Sequence, residues 1–291
     1  MKACLTLLRP KHAVKNLLIW LPLIFSGRLF QRASLLSAAL GFVAFCCAAS
    51  AVYVINDMWD APSDRRHTTK RLRPIACGAV SLRAAAYLAT LALSLACGIL
   101  AAAGFPWAAW ATLGLYLLLN AGYSVLGWKR VPLLDVAILA AGFVLRVLFG
   151  AVITGIQISN WLYLTVFALS FYMGLGKRRG EALRETTAAR PVLTRYTRAF
   201  LEQNMHMCLT LAVVFYALWC VDPATVARHA NAGAVWTVPL VLLLTMRYSM
   251  VAEGDSDGDP VEVILRDKPL LILGALYAAC MLVIVYGLPG A

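Results

Sequence analysis

Three aspartates, Asp57, Asp60 and Asp64, stand at i, i+3 and i+7, with Asn56 one residue before the first. On a helix these positions share one face at intervals of about a turn. Carboxylates that close repel one another unless a cation lies among them. Few hard oxygen ligands, with coordination places left for water and phosphate, describe how Mg2+ is usually held. Bases follow at once, namely Arg65, Arg66, Lys70, Arg71 and Arg73, and Arg offers phosphate bidentate hydrogen bonds. Acid for a metal and base for phosphates make a diphosphate site. The blander alternative is a solvated loop whose charges neutralise one another. Position argues against it: the cluster directly follows LLSAALGFVAFCCAASAVY, and ionisable groups at a bilayer boundary are functional by default.

The elements that carry this cluster follow from composition. The chain of 291 residues is 62% hydrophobic and only 14% charged, whereas soluble domains sit near 45–50% and 25%. This is a polytopic membrane protein. Runs of roughly 20 apolar residues, enough to cross about 30 Å of hydrocarbon as helix, fall at about 14–30, 34–56, 84–104, 106–126, 132–154, 160–176, 204–221, 233–250 and 269–289. The expected fold is all-α, with nine transmembrane helices in a single domain over 1–291. Pro62 is expected to bend or end the second helix, so that Asp64 reaches a metal from a turn. No cleavable signal is expected at the front, because bases interrupt a short apolar stretch.

Charge sets the orientation. With this span set, 22 Lys/Arg fall on one side, only Arg28, Arg32 and Arg228 on the other, and Arg146 lies within a span. The positive-inside rule places the N-terminus and the charged loops in the cytoplasm and the C-terminus outside. Of 14 Asp/Glu, 12 share the cytoplasmic loops, so the chain looks like a one-sided machine. The net charge of +12 would also suit contact with anionic membrane lipids; no nucleic-acid partner is expected. The eight cysteines form no CxxC or CxxH pair and mostly lie in apolar runs, where Cys behaves as a small hydrophobe. The loop EGDSDGDPVEVILRD fails as a calcium loop, since Pro260 and Arg266 stand where Gly and Glu are required.

The stretch Asn56-Asp57-x-x-Asp60-x-x-x-Asp64 resembles the NDxxDxxxD pattern of the UbiA superfamily of intramembrane prenyltransferases. Within it the chain is most similar to the decaprenyl-phosphate phosphoribosyltransferase branch. The matching pieces are RPKHAVKN, NDMWDAPSDRRHTTKRLRPIACG, KRVPLLDVAILAAGFVLR, GKRRGE and VILRDKPL, in order along almost the whole chain. It departs from that branch at His67-Thr68, where His-Pro is usual, and at Ala61-Pro62. The resemblance implies a UbiA-type helical bundle in the cytoplasmic (inner) membrane. It implies Mg2+ held by Asp57, Asp60, Asp64 and Asn56 on the diphosphate of 5-phosphoribosyl 1-diphosphate, with a polyprenyl phosphate as acceptor. The product of the family is a precursor of arabinose donors for cell-envelope glycans.

Charge and position make further residues candidates for substrate contact. Lys177 and Arg178 are candidates for gripping a phosphate, and Glu181 is either their counter-ion or an acceptor for a ribose hydroxyl. Tyr123 and Lys129 fall where the superfamily carries a Tyr…Lys phosphate clamp. Lys11, Lys15 and Asn16 could meet the lipid phosphate or simply anchor helix one. Arg65, Arg66, Lys70 and Arg73 suit the donor phosphates. Asp135 and Arg146 share a helix face but stand about 16 Å apart, too far to pair. Arg146 must face the interior, to bind a phosphate or a polar group of another helix.

Loop 6–7, GLGKRRGEALRETTAARPVLTRYTR, has glutamates but no aspartate. Prenyltransferases of aromatic acceptors resemble one another in a second aspartate-rich motif there, so that activity is the runner-up. A transporter is the rival from another class. It would place ionisable groups along a path through both leaflets, whereas Arg146 alone is a clear mid-span charge. Assembly as a homo-oligomer is left open.

Overall fold

The structure, a computed structural model, describes residues 2–184, 191–229, 231–253 and 260–287. In chain order the α-helices are α1 (Lys2–Leu8), α2 (Leu21–Ile24), α3 (Arg32–Asp64), α4 (Leu82–Ala102), α5 (Trp107–Ser124), α6 (Leu134–Thr154), α7 (Asn160–Arg184), α8 (Arg198–Val221), α9 (Pro223–His229), α10 (Val238–Glu253), α11 (Pro260–Arg266) and α12 (Lys268–Leu282). No strand occurs among the described residues. Helix falls in each of the nine expected stretches. Among the described residues, six helices are long and apolar enough to cross a membrane: Arg32–Asp64, Leu82–Ala102, Leu134–Thr154, Arg198–Val221, Gly233–Glu253 and Lys268–Gly287.

Two boundaries differ from the expectation, and both matter to the site. Pro62 does not end α3, which runs on to Asp64. Pro62 removes one rung, the bond to the Met58 carbonyl, and the helix holds beyond it: the Arg65 N–H donates to the Ala61 carbonyl at 3.2 Å, and the Ser63 hydroxyl donates to the Asp60 carbonyl at 2.8 Å. All three aspartates are therefore helical. The GKRRGE stretch, expected in a loop, is likewise helical, because α7 continues to Arg184.

The chain divides into two compact units: residues up to Leu21 with Phe30–Lys129 and Leu145–Gly155, and Pro22–Leu29 with Arg130–Val144 and everything from Ile156 onward. In the first unit α3 packs against α4 through small side chains. Ala44, Ala48 and Ala51 on α3 and Ala85, Ala89, Ala92 and Ala96 on α4 are buried, each series at helical spacing. Lipid is as apolar as leucine, so such helices associate through close backbone packing rather than water exclusion. Phe45, Tyr116 and Phe149 fill the core beneath.

A 3-10 helix, Pro10–Trp20, runs beside that core for eleven residues, far beyond the three or four usual for this geometry. Gly150 of α6 makes this placement feasible. A Cβ there would lie 2.0 Å from the Ile19 carbonyl oxygen.

In the second unit, Tyr172 and Leu175 of α7 pack with Leu201 and Met205 of α8, joined by Val136, Val192 and Leu193. A further cluster gathers Tyr216, Trp219 and Met281. Asp267 caps α12, accepting the Leu270 N–H at 2.8 Å. It also takes two hydrogen bonds from Arg247, at 3.0 and 2.6 Å; the bonds from that guanidinium hold its carboxyl below the usual carboxylate range.

Candidate active site

The three aspartates of the first unit each meet a cation, and the cations come from three separate segments. Asp57 Oδ1 accepts from Arg9 Nη2 at 2.6 Å and from Arg73 Nη1 at 3.2 Å. Asp64 Oδ2 accepts from the same Arg73 Nη1 at 2.8 Å. Asp60 Oδ1 accepts from Lys129 Nζ at 2.7 Å. Asp57 and Asp64 are buried, and only the Asp60 side chain keeps substantial exposure. Burying carboxylates is costly unless each is paired and hydrogen-bonded, and three acids against three bases satisfies that condition.

Arg9 is held in an unusual backbone. Its φ is 50° and ψ 57°, the left-handed region that non-glycine residues seldom occupy. Its guanidinium lies 5.1 Å from the centre of the Tyr53 ring, one turn before Asp57. The left-handed residue ends α1 and turns the chain into the 3-10 helix, which aims the guanidinium back at α3.

Asn56, expected among the metal ligands, accepts the Ser124 hydroxyl on Oδ1 at 2.6 Å. Lys129 sits in a short 3-10 turn, Trp128–Arg130, just beyond α5. Tyr123 lies half-buried on the last turn of α5. Arg65 and Arg66 are exposed and Lys70 half-buried on the turn leading from Asp64 to Arg73.

Among the described residues no three His, Cys, Asp or Glu side chains converge on a metal position. The donor chemistry nonetheless suits Mg2+, being hard carboxylate oxygen throughout. Arg73 Nη1 lies between Asp57 and Asp64, so a cationic group already serves both acids from one point. A metal shared by those two carboxylates requires Arg73 to move.

Deeper in the same unit Arg146 is buried and fully engaged. Its Nε donates to Asn16 Oδ1 at 2.7 Å and its Nη2 to the Tyr116 hydroxyl at 3.3 Å. The guanidinium also lies 5.2 Å from the Phe45 ring centre and 5.0 Å from that of Tyr116. Asn16 is buried too and donates to Cys46 Sγ at 3.1 Å. Arg146 thus ties α6 to the 3-10 helix and α5, the polar contact on another helix that was one of its two expected roles. Lys11 is exposed and Lys15 half-buried on the same 3-10 helix.

The second unit holds its own buried chain of charge. Arg178 is 0% exposed and contacts Asp135 Oδ2 through Nε and Glu181 Oε2 through Nη1, both at 2.5 Å. The Tyr196 hydroxyl donates to Asp135 Oδ1 at 2.6 Å and accepts the Leu133 N–H at 2.6 Å. Burial, reinforced by the bond to Asp135, pushes the Tyr196 hydroxyl up to about 12. Leu133, with φ 66°, is the other non-glycine residue in the left-handed region, and the Tyr196 hydroxyl fixes its N–H. Arg178 therefore organises the start of α6 and the end of α7, with Glu181 as its counter-ion. Lys177 is half-buried on the same turn. Glu185, Asp255, Asp257 and Asp259 lie outside the described residues.

Four partners escaped the sequence: Arg9 for Asp57, Ser124 for Asn56, Tyr116 for Arg146 and Tyr196 for Asp135. Only Arg9 had a signal, as the first residue of the RPKHAVKN stretch.

This arrangement now meets known proteins. Residues 18–264 match the UbiA prenyltransferase family, and the chain belongs to that family. It is 36% identical over 293 residues to the decaprenyl-phosphate phosphoribosyltransferase of Corynebacterium glutamicum, covering 97% of this chain and 86% of that protein. The protein of the same description from Mycolicibacterium smegmatis is 35% identical over 284 residues, covering 91% of this chain and 86% of its own length. The fold is similar to that of a UbiA homologue from Archaeoglobus fulgidus solved with DMAPP and Mg2+, at a TM-score of 0.72 and 21% identity, covering 97% of this chain and 98% of that one.

Proposed function

We propose that this protein is a UbiA-type transferase that moves 5-phosphoribose from 5-phosphoribosyl 1-diphosphate to a polyprenyl phosphate, decaprenyl phosphate being the reference acceptor, with release of diphosphate. The observation that carries the reading is the neutral cluster of Asp57, Asp60 and Asp64 with Arg9, Arg73 and Lys129. The acids are oxygen donors for Mg2+, and the bases are cations that the phosphates of the two substrates can take over. Relatives 31–36% identical over 91–97% of this chain carry the phosphoribosyltransferase description, which supports this donor over a prenyl diphosphate. The match to the family runs through both units, so they are assigned to one catalytic domain. The 22 Lys/Arg on one side support an inner-membrane protein with its catalytic loops and N-terminus in the cytoplasm.

Bound Mg2+ supplies charge neutralisation for a leaving diphosphate. Asp57, Asp60 and Asp64 would hold it, with Asn56 close by. Arg73 and Lys129 orient the donor phosphates. The ribose C1–O bond to diphosphate breaks with its electron pair leaving on the diphosphate, through an oxocarbenium-like ribose as in other glycosyl transfers. An acceptor phosphate oxygen forms the new bond at C1. A phosphate monoester is already an anion near neutral pH, so the step needs no strong base, and any remaining proton passes to water.

The test is label transfer from radiolabelled 5-phosphoribosyl 1-diphosphate to decaprenyl phosphate, with purified protein in detergent and Mg2+. Transfer abolished by EDTA and by Asp60→Asn is the expected result. No transfer, with turnover instead of a prenyl diphosphate and an aromatic acceptor, would overturn the substrate assignment and leave the fold intact.

A further inference from the structure

The first unit contains a cleft of about 380 Å³, walled by α1 with the 3-10 helix, by α3 and by α4. Its shape is that of an amphiphile. At one end stand Arg9 and Tyr53; from there the α3 wall runs back through Ala49 and Cys46 to Phe42. Phe42 and Tyr53 are eleven positions apart, which on a helix is about 16 Å. Apart from Arg9 and Tyr53, the polar side chains of the lining are His12, Asn16 and Ser50, and the rest is apolar. The walls are narrow-side-chain surfaces, including Ala13, Cys47, Ser50 and Ala92, faced by leucines of α4. Leu5, Val43, Leu91 and Leu95 also line it and are about half exposed, so the cleft opens sideways along the membrane-facing flank of these helices.

We infer that this cleft seats the acceptor lipid, its phosphate on Arg9 and the first isoprene units of its chain along α3 and α4. The inference rests on the proposed phosphoribosyl transfer and adds where the acceptor lies. An extended isoprene unit advances roughly 5 Å at carbon–carbon bonds of about 1.5 Å, so the α3 wall takes about three units. The volume falls within the range of about 300–1,000 Å³ typical of ligand sites.

Charge fixes the direction of entry. Arg9 is the cation of the cleft and already contacts Asp57, so an anionic head bound to it comes to rest beside the aspartates while the tail extends into the bilayer plane. The tail gains little by leaving lipid for an equally apolar cleft. The cleft therefore orients the acceptor, and the head group supplies affinity through charge-assisted hydrogen bonds to Arg9. A phospholipid acyl chain is the competing occupant.

The experiment uses the full-length protein in nanodiscs with a short polyprenyl phosphate bearing a diazirine on its third isoprene unit. Turnover of the probe with 5-phosphoribosyl 1-diphosphate is measured alongside the peptides it labels on irradiation. The expected result is turnover with labelling within 42–53 and 88–95. Decaprenyl phosphate at ten times its Kd cuts that labelling about tenfold by mass action, and the same excess of phosphatidylglycerol does not. Arg9→Gln lowers labelling about tenfold or more. Ala92→Phe and Ala13→Phe, which fill the cleft from opposite walls, each abolish labelling at these peptides while melting within a few degrees of wild type. Turnover with labelling elsewhere, or equal competition by phosphatidylglycerol, overturns this inference and spares the transferase reading. A probe that is not turned over, with decaprenyl phosphate also inert, sinks both.

Discussion

Gly150→Ala tests the packing that holds Arg146 and the 3-10 helix in place. The added Cβ would lie 2.0 Å from the Ile19 carbonyl oxygen, against the 3.4 Å of ordinary contact, so the two backbones must part by about 1.4 Å. The obstacle is backbone and cannot rotate away. Overpacking of this kind costs about 1–3 kcal/mol. Arg146 is one turn before Gly150 and Asn16 one turn before Ile19. Their 2.7 Å hydrogen bond stretches out of range, and a bond to a charged group is worth about 1.5–3 kcal/mol. Alanine returns about 1 kcal/mol of helix propensity. The net is a destabilisation of about 3 kcal/mol, a fall in Tm of roughly 6–12 °C for a chain of this size.

The assay is thermal unfolding of the detergent-purified protein followed by tryptophan fluorescence, with Gly98→Ala beside it. Gly98 is also helical but has open space around it, so its alanine variant should match wild type or gain slightly. If Gly150→Ala melts at or above the wild-type temperature, or Gly98→Ala falls as far, close backbone approach is not what fixes this region.

Arg178→Met strands the buried carboxyl of Asp135 and should cost about 3–5 kcal/mol, seen as loss of folded protein; adding Asp135→Leu should recover part of it. Lys129→Met removes a half-exposed pair with Asp60, worth no more than about 1 kcal/mol of stability, yet should raise the KM for 5-phosphoribosyl 1-diphosphate; an unchanged KM would remove Lys129 from the donor site. Tyr196 is held protonated up to about 12, above the ordinary tyrosine value of about 10. Its contribution is therefore complete below about pH 10 and is lost as pH rises toward 12. Melting temperature should fall over that window in wild type, and Tyr196→Phe should lack that part of the fall.

Much of the site was legible in the chain because periodicity acts locally. The spacing of Asp57, Asp60 and Asp64 puts them on one face wherever the helix extends, and apolar runs mark the spans because lipid tolerates little else. Pro62 misled because one lost hydrogen bond near a helix end is a small cost beside the packing of Val54 and Ala61. The GKRRGE stretch misled because charge resembles a loop, although Arg178 is buried against two acids. What the residues alone settled is membrane-embedded, all-helical character and an acid–base cluster fit for metal and phosphate. Which base serves which acid was left to tertiary structure. Arg9 reaches Asp57 across 48 positions, Lys129 reaches Asp60 across 69 and Tyr196 reaches Asp135 across 61. Such partners are chosen by how the helices pack, through contacts like Gly150 on Ile19, and no local pattern encodes that choice.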